Sequence, residues 1–348
     1  MRAIKCEGIM VDNGSKRKRE CLLRQVNSVA DSGSPRFAAG QLAWEASTLP
    51  LSYTRSCQQY YALALVPCQD FTQSSDAHLD LCYPYTMAMT GDSLSPSSIT
   101  DNLGTRFIGQ RVIYFRRTTS TNDKAKREAQ RGAAEGTVFI TEEQTRGKGR
   151  IKRLWLSPRG SIALSIILYP PVAHLPSLVM LASLAVVHCI KMLTGLESGV
   201  KWPNDVLING KKVSGILIES DVRGDRVDHA VIGIGINVNL KLANFPEISP
   251  AATSLSDELG RDVSRLGMVR CLLTKVESLY LTLQAGDSIY QEWRDRLVTL
   301  GKPVRVTWGE TVYEGIAESA ASDGSLLLRQ PDGNLIKIVA GDVVTLRH

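Results

Sequence analysis

Apolar residues follow three regimes along the chain, and the changes between them divide it. In residues 1 to about 90 neither a helical nor a strand period persists; Ser, Gln and Cys are frequent, and patches such as YYALALV at residues 60–66 stand alone. A disordered or loosely structured extension is expected there, with Met87 or Met89 as the true translation start. From Leu94 onward the pattern sharpens. A short helix is expected over Leu94–Asn102, a strand over Arg111–Phe115, and a helix opened by the Thr118–Asp123 segment TTSTND and running to Gln130. Thr137–Thr141 reads as a strand and Ser161–Tyr169 as a second, buried one; Leu175–Leu193 has the spacing of a core helix. Asn209-Gly210 between two β-rich runs predicts a type I′ hairpin, with Lys201 before its first strand and Lys212 opening its second. Val227–Leu240 reads as the next strand, residues 253–298 as helical, and the short alternating runs after Leu300-Gly301 as a small β-barrel of about 45 residues.

One stretch fits none of these patterns. Gln144 to Gly160, QTRGKGRIKRLWLSPRG, carries six Lys and Arg and no acid, and Gly147 and Gly149 interrupt any regular element. We expect a loop without secondary structure. Its alternation of glycine with cations suits a phosphate, because bare backbone approaches closely while Lys and Arg neutralise the charge. A mobile surface loop with solvated charges is the competing reading. Gly233 and Gly235 in GIGIN, at alternate positions of an expected strand, clear one face for a flat ligand or another backbone. Lys201 is followed by Trp202-Pro203, which stiffens the backbone beneath a fixed ammonium.

Charge narrows the possible partners. The excess is +6, yet residues 1–100 hold nine bases and nine acids, so all of it lies later in the chain. Six bases sit in the glycine loop alone, which points to one anionic ligand rather than a basic face tracking a nucleic acid. The odd total of seven cysteines, none in a C-x-x-C pair, argues against a disulfide framework. Five scattered histidines without an H-E-x-x-H give no metal motif. His188 and Cys189 fall inside the core helix and read as packing residues. No signal-like apolar segment follows the N-terminus, and Ile162–Leu193 is interrupted by Pro170, Pro171 and Pro176. A soluble, cytoplasmic protein is expected.

Five motifs in order, STN at Ser120–Asn122, the glycine-basic loop at Gln144–Arg150 with Trp155 beyond it, KWPND at Lys201–Asp205, KVSGIL at Lys212–Leu217 and GIGIN at Gly233–Asn237, give residues 94–348 a resemblance to biotin protein ligase, or biotin–[acetyl-CoA-carboxylase] ligase. The resemblance implies an α+β fold. Its catalytic domain is a mixed sheet with flanking helices, similar to class II aminoacyl-tRNA synthetases, over residues 94–299, followed by an SH3-like domain over 300–348. It implies two reactions: biotin and Mg-ATP form biotinyl-5′-AMP, and a lysine of a biotin carboxyl carrier protein then takes the biotin. Arg150 and Lys201 would be the catalytic cations. Ser120, Thr121, Gln144 and the backbone about Gly147, Lys148, Gly149 and Arg150 would meet biotin, with Asn122 in the same motif. Trp155 would lie against adenine, an ordinary core tryptophan being the rival reading. Asn204, Lys212 and Asn237 would stand near the nucleotide, with Gly215 and Gly235 in the two glycine motifs. Mg²⁺ would arrive with the phosphates rather than on a dedicated ligand set. The loop departs from the family pattern, with Lys148 for an arginine and Lys152 where a third glycine is usual.

Some relatives of this kind also repress operons through an N-terminal winged helix. Residues 1–93 show no helix-turn-helix pattern, so a ligase without DNA binding is expected, and no membrane partner. A repressor using biotinyl-adenylate as corepressor and an enzyme attaching lipoyl or octanoyl groups are the alternatives. Homodimerisation is an open possibility, and the glycine loop is expected to close over the adenylate.

Overall fold

The computed structural model describes residues 92–346. The expectations for the N-terminal ninety residues, including the start at Met87 or Met89 and the missing helix-turn-helix, lie outside these.

A seven-stranded sheet in the order β1-β2-β5-β9-β8-β7-β6 forms the centre of the first domain. Its strands are β1 (Val112–Phe115), β2 (Val138–Thr141), β5 (Ile162–Leu168), β6 (Gly199–Lys201), β7 (Asp205–Ile208), β8 (Lys211–Arg223) and β9 (Arg226–Ile236). Only β1 and β2 run parallel; every other pairing is antiparallel, so the sheet is mixed.

Side chains alternate across the sheet and meet different layers. Ile166, Leu168, Ile232 and Ile234 join one continuous core with the helices α3 (Ser177–Thr194) and α5 (Arg265–Gln284). Phe139, Ile167 and Val231 point to the opposite face, where they pack with Ala125 and Ala129 of α2 (Thr121–Gln130). α3 is long and apolar enough to cross a membrane, but 61% of it is buried inside the protein, as a core helix requires. It ends at Gly195 with φ 74°, a left-handed cap.

The short first helix, α1, covers Pro96–Thr100 with Ser95 as its cap. Residues 253–298 are not one helical run. They divide into α4 (Leu255–Leu259), α5 and α6 (Tyr290–Asp295), because Gly260 adopts a left-handed φ of 69° and Ser264 caps α5 anew. A buried carboxylate also ties α5 to the start of the domain: Glu277, 5% exposed, accepts the backbone N–H groups of Arg106, Phe107 and Ile108 at 2.6–2.9 Å.

Asn209 and Gly210 have φ of 50° and 77°, the left-handed pair that a type I′ turn requires between β7 and β8. Lys201 does not merely precede this hairpin. It ends β6, paired with Asp205, so a second turn through Trp202-Pro203 (a cis peptide bond) precedes it.

The C-terminal domain is a five-stranded antiparallel sheet, ordered β13-β12-β11-β10-β14, of the SH3-like type. It comprises β10 (Pro303–Trp308), β11 (Thr311–Ala320), β12 (Leu326–Arg329), β13 (Leu335–Ile338) and β14 (Asp342–Thr345). Trp202, 1% exposed, donates its indole N–H to Gly324 O at 2.7 Å, and Tyr290 Oη donates to Ala320 O at 2.6 Å. These bonds seat the small domain on the catalytic one.

Candidate functional site

The stretch Gln144–Gly160 is not an irregular loop. It forms an antiparallel ribbon of β3 (Gln144–Lys148) and β4 (Leu154–Ser157), with a tip at Gly149–Arg153. Gly147 permits this pairing, since a Cβ there would stand 2.3 Å from Trp155 O. At the tip Ile151 and Lys152 take φ of 50° and 57°. Lys152 therefore holds a left-handed conformation that a glycine would adopt freely. The glycines concealed the strands because they removed the alternating side chains that mark them.

Beneath the ribbon the sheet presents a row of small residues on the α2 face. The register aligns Ala163 with Gly235 and Gly215, Ser165 with Gly233 and Leu217, and Ile167 with Val231 and Glu219. The cleared space is filled by side chains. A Cβ on Gly235 would meet the Trp155 ring at 2.4 Å, and one on Gly233 would meet the Asn122 amide at 2.2 Å. Trp155 is thus a half-buried wall of the cleft, carried by the ribbon, and not a core residue. Its Nε1 is buried without a hydrogen-bond partner, a donor that a ligand can use.

The resulting cleft, about 120 Å³, has two chemically distinct ends. The neutral end is built where α2 begins. Ser120, 1% exposed, caps the helix by accepting from Asp123 N, which is the plain role for that hydroxyl. Thr121 N donates to Gln144 Oε1 at 2.8 Å, Thr121 Oγ1 lies 3.2 Å from the same oxygen, and Ser165 Oγ is 2.8 Å from Thr121 Oγ1. Lys148 is tied to Asp123 across this end, and that hydrogen bond raises its pKa against the opposing effect of burial.

Cations and the indole make up the other end. Arg150 donates to Asn204 Oδ1 at 3.1 Å and to Gly341 O at 3.2 Å, so the catalytic domain and the C-terminal domain both hold it. Burial lowers its pKa, which Asp342 and Asp205 oppose; a guanidinium remains charged through such a shift. Arg153 Nη2 pairs with Asp342 Oδ2 at 2.5 Å. Lys212 Nζ pairs with Asp205 at 2.6 Å and lies 5.3 Å from the Trp155 ring centroid.

Of the residues singled out in the sequence, Ser120, Thr121, Asn122, Gln144, Lys148, Gly149, Arg150, Trp155, Asn204, Lys212, Gly215 and Gly235 line this cleft. Gly147, Lys201 and Asn237 do not. Gly147 is used in strand pairing, Lys201 ends β6, and Asn237 is buried, donating from Nδ2 to Thr253 O at 3.0 Å. Sequence reasoning passed over Asp205, Arg153 and Asp342 as individual site residues, which also line it, and Ser165, which is buried behind the lining and bonded to Thr121 and Asn122. Ser165 was readable, being a hydroxyl inside an otherwise apolar strand. Asp342 carried no signal, since it reaches the cleft only by the docking of a separate domain. Among the described residues no group of three His, Cys, Asp or Glu side chains stands together as a metal site.

Residues 114–237 match the Biotin/lipoate A/B protein ligase family, and residues 299–345 match the Biotin protein ligase C terminal domain. The chain is 36% identical over 265 residues to the bifunctional ligase/repressor BirA of Bacillus subtilis, covering 74% of this chain and 81% of that protein. It is 35% identical over 273 residues to the biotin–[acetyl-CoA-carboxylase] ligase of Mycobacterium tuberculosis, covering 74% and 98%. Among solved structures, the biotin protein ligase of Aquifex aeolicus in complex with biotin and ATP matches with a TM-score of 0.59 and 27% identity, covering 69% of this chain and all of that one.

Proposed function

We propose, because the chain belongs to the biotin protein ligase family, that its cleft is the site of both ligase reactions. The enzyme activates biotin with Mg-ATP to biotinyl-5′-AMP and transfers biotin to a lysine of a carrier protein. The observation that carries the site assignment is the division of one cleft into a neutral donor-acceptor end and a cationic, indole-lined end. A ureido ring suits the first and an adenylate the second.

Attack of the biotin carboxylate on the α-phosphorus brings two anions together, and pyrophosphate leaves. A preorganised cation lowers that barrier most effectively where water is excluded. Arg150 is such a group, half-buried and aimed by Asn204 and the Gly341 carbonyl. Lys212, beside Trp155, meets the nucleotide. Lys201, which ends β6 beside Asp205 and does not line the cleft, is the second proposed catalytic cation. In the second step the carrier's lysine attacks the acyl carbon and AMP leaves; the ribbon screens the anhydride from water until then. Mg²⁺ is part of the ATP substrate. Asp205 and Asp342, the carboxylates of the cleft, are paired with Lys212 and Arg153.

A biotin carboxyl carrier protein of a biotin-dependent carboxylase is the proposed acceptor, and the cytoplasm is the proposed location. We propose no DNA partner; the residues that would carry one precede residue 92. Incubation with biotin, Mg-ATP and a carrier domain, followed by an avidin blot, tests the reading. A signal with biotin and none without ATP is expected. Modification with lipoate instead would overturn it.

A further inference from the structure

The neutral end of the cleft has a back wall set behind its lining residues. Glu219, on β8, does not line the cleft, yet its Oε2 accepts from Asn122 Nδ2 at 2.9 Å while its Oε1 is braced by Lys126 Nζ at 3.1 Å. Asn122, 4% exposed, lies flat on Gly233, so the only freedom left to its amide is a flip. A carboxylate accepts and does not donate, and it therefore decides that flip in favour of Nδ2.

The consequence passes along a chain of protons. With Nδ2 turned to Glu219, Asn122 Oδ1 faces Ser165 Oγ at 2.6 Å and takes the one proton that hydroxyl has. Ser165 then has only lone pairs for Thr121 Oγ1, 2.8 Å away. Thr121 must direct its proton inward, to Ser165, and a ligand meets its lone pair. Gln144 Oε1 is already engaged by Thr121 N, so the Gln144 amide offers a ligand its Nε2 donor. One acceptor and one donor face the cleft, the complement of a urea's N–H and C=O.

We propose that Glu219 is a positioning residue for biotin specificity: held outside the cleft, it sets through Asn122, Ser165 and Thr121 which groups at the neutral end donate and which accept. This rests on the reading that the neutral end takes the ureido ring. Without the carboxylate the Asn122 amide can present either end, Ser165 and Thr121 lose their fixed polarity, and discrimination between a urea and its imino analogue weakens.

Biotin-dependent ATP–pyrophosphate exchange tests this in the full chain, with biotin and iminobiotin as substrates, for wild type, Glu219→Gln, Asn122→Asp and the double variant. Glu219→Gln is expected to raise the biotin KM about tenfold, the worth of one misdirected hydrogen bond, to narrow the biotin/iminobiotin ratio, and to leave kcat within about twofold. Asn122→Asp alone sets two carboxylates against each other and is worse. In the double variant the amide introduced at 219 donates to the carboxylate introduced at 122, which still faces Ser165 as an acceptor, and the biotin KM returns toward wild type. A Glu219→Gln enzyme with reduced kcat and Tm but an unmoved substrate ratio would overturn the proposal, as would a double variant no better than the worse single one. No biotin-dependent exchange by wild type would fail the ligase reading itself.

Discussion

Asp342 connects the C-terminal domain to the ribbon, and replacing it with asparagine should loosen the ribbon without unfolding either domain. Its Oδ2 lies 2.5 Å from Arg153 Nη2, with the aspartate side chain 22% exposed and the arginine 69% exposed. So solvated a partner limits the pair to about 0.2–1 kcal/mol. A loss at the upper end of that range makes the open ribbon about fivefold more populated. Arg150 keeps both its hydrogen bonds in this variant, since its acceptors are Asn204 Oδ1 and a main-chain carbonyl. Adenylate formation should therefore change little while its protection suffers. The assay is the release of AMP and free biotin from the enzyme-bound adenylate when no carrier is present, with an expected rise of about 1.4- to fivefold. Arg153→Ala should give a similar rise, and the two together no more than either alone. Additive effects, or a leak equal to wild type in both variants, would refute the idea that this ion pair holds the ribbon down.

Other consequences are directly measurable. Arg150→Ala should slow biotin-dependent pyrophosphate exchange by a factor equivalent to about 2–4 kcal/mol, and Arg150→Lys should recover only part of it, because an ammonium does not reach Asn204 and Gly341 together; full activity in Arg150→Ala would exclude a catalytic role. Gly235→Ala puts a methyl 2.4 Å from the Trp155 ring, and displacement of the indole should raise the KM for ATP well above any change in the KM for biotin. Glu277→Ala strands three backbone N–H groups and should lower stability by at least about 3 kcal/mol in urea unfolding. The Asp123 contact raises the Lys148 pKa above the ordinary 10.5, so its stabilisation is complete below pH 10.5 and is lost as pH rises through the elevated value. Limited proteolysis of the ribbon should accordingly quicken only above about pH 10.5.

Much of the catalytic domain was legible because its elements carry their own signals. The Asn209-Gly210 turn, the apolar run of β5 and the spacing of α3 each announce one local conformation. The ribbon was not legible as strands, since β3 reads Gln-Thr-Arg-Gly-Lys and its pairing partner, β4, is apolar but mostly exposed, inverting the usual correspondence. Most of the site followed from motifs, with instructive exceptions. Asn237 belongs to GIGIN, yet its amide supports the Thr253 carbonyl instead of the cleft. Asp342 and Glu219 were invisible for a common reason: their partners lie 189 and 97 residues away in sequence, and only the assembled tertiary structure brings them together.

One of the two acceptors that aim Arg150 is the carbonyl of Gly341. No exchange of a side chain can delete a peptide oxygen, so mutation can reach this support only by rerouting the chain between β13 and β14. Over evolutionary time Val339 and Ala340 should tolerate new letters more readily than insertions or deletions, whereas Gly341 should keep its identity, since a Cβ there would stand 2.8 Å from Val306 Cγ1.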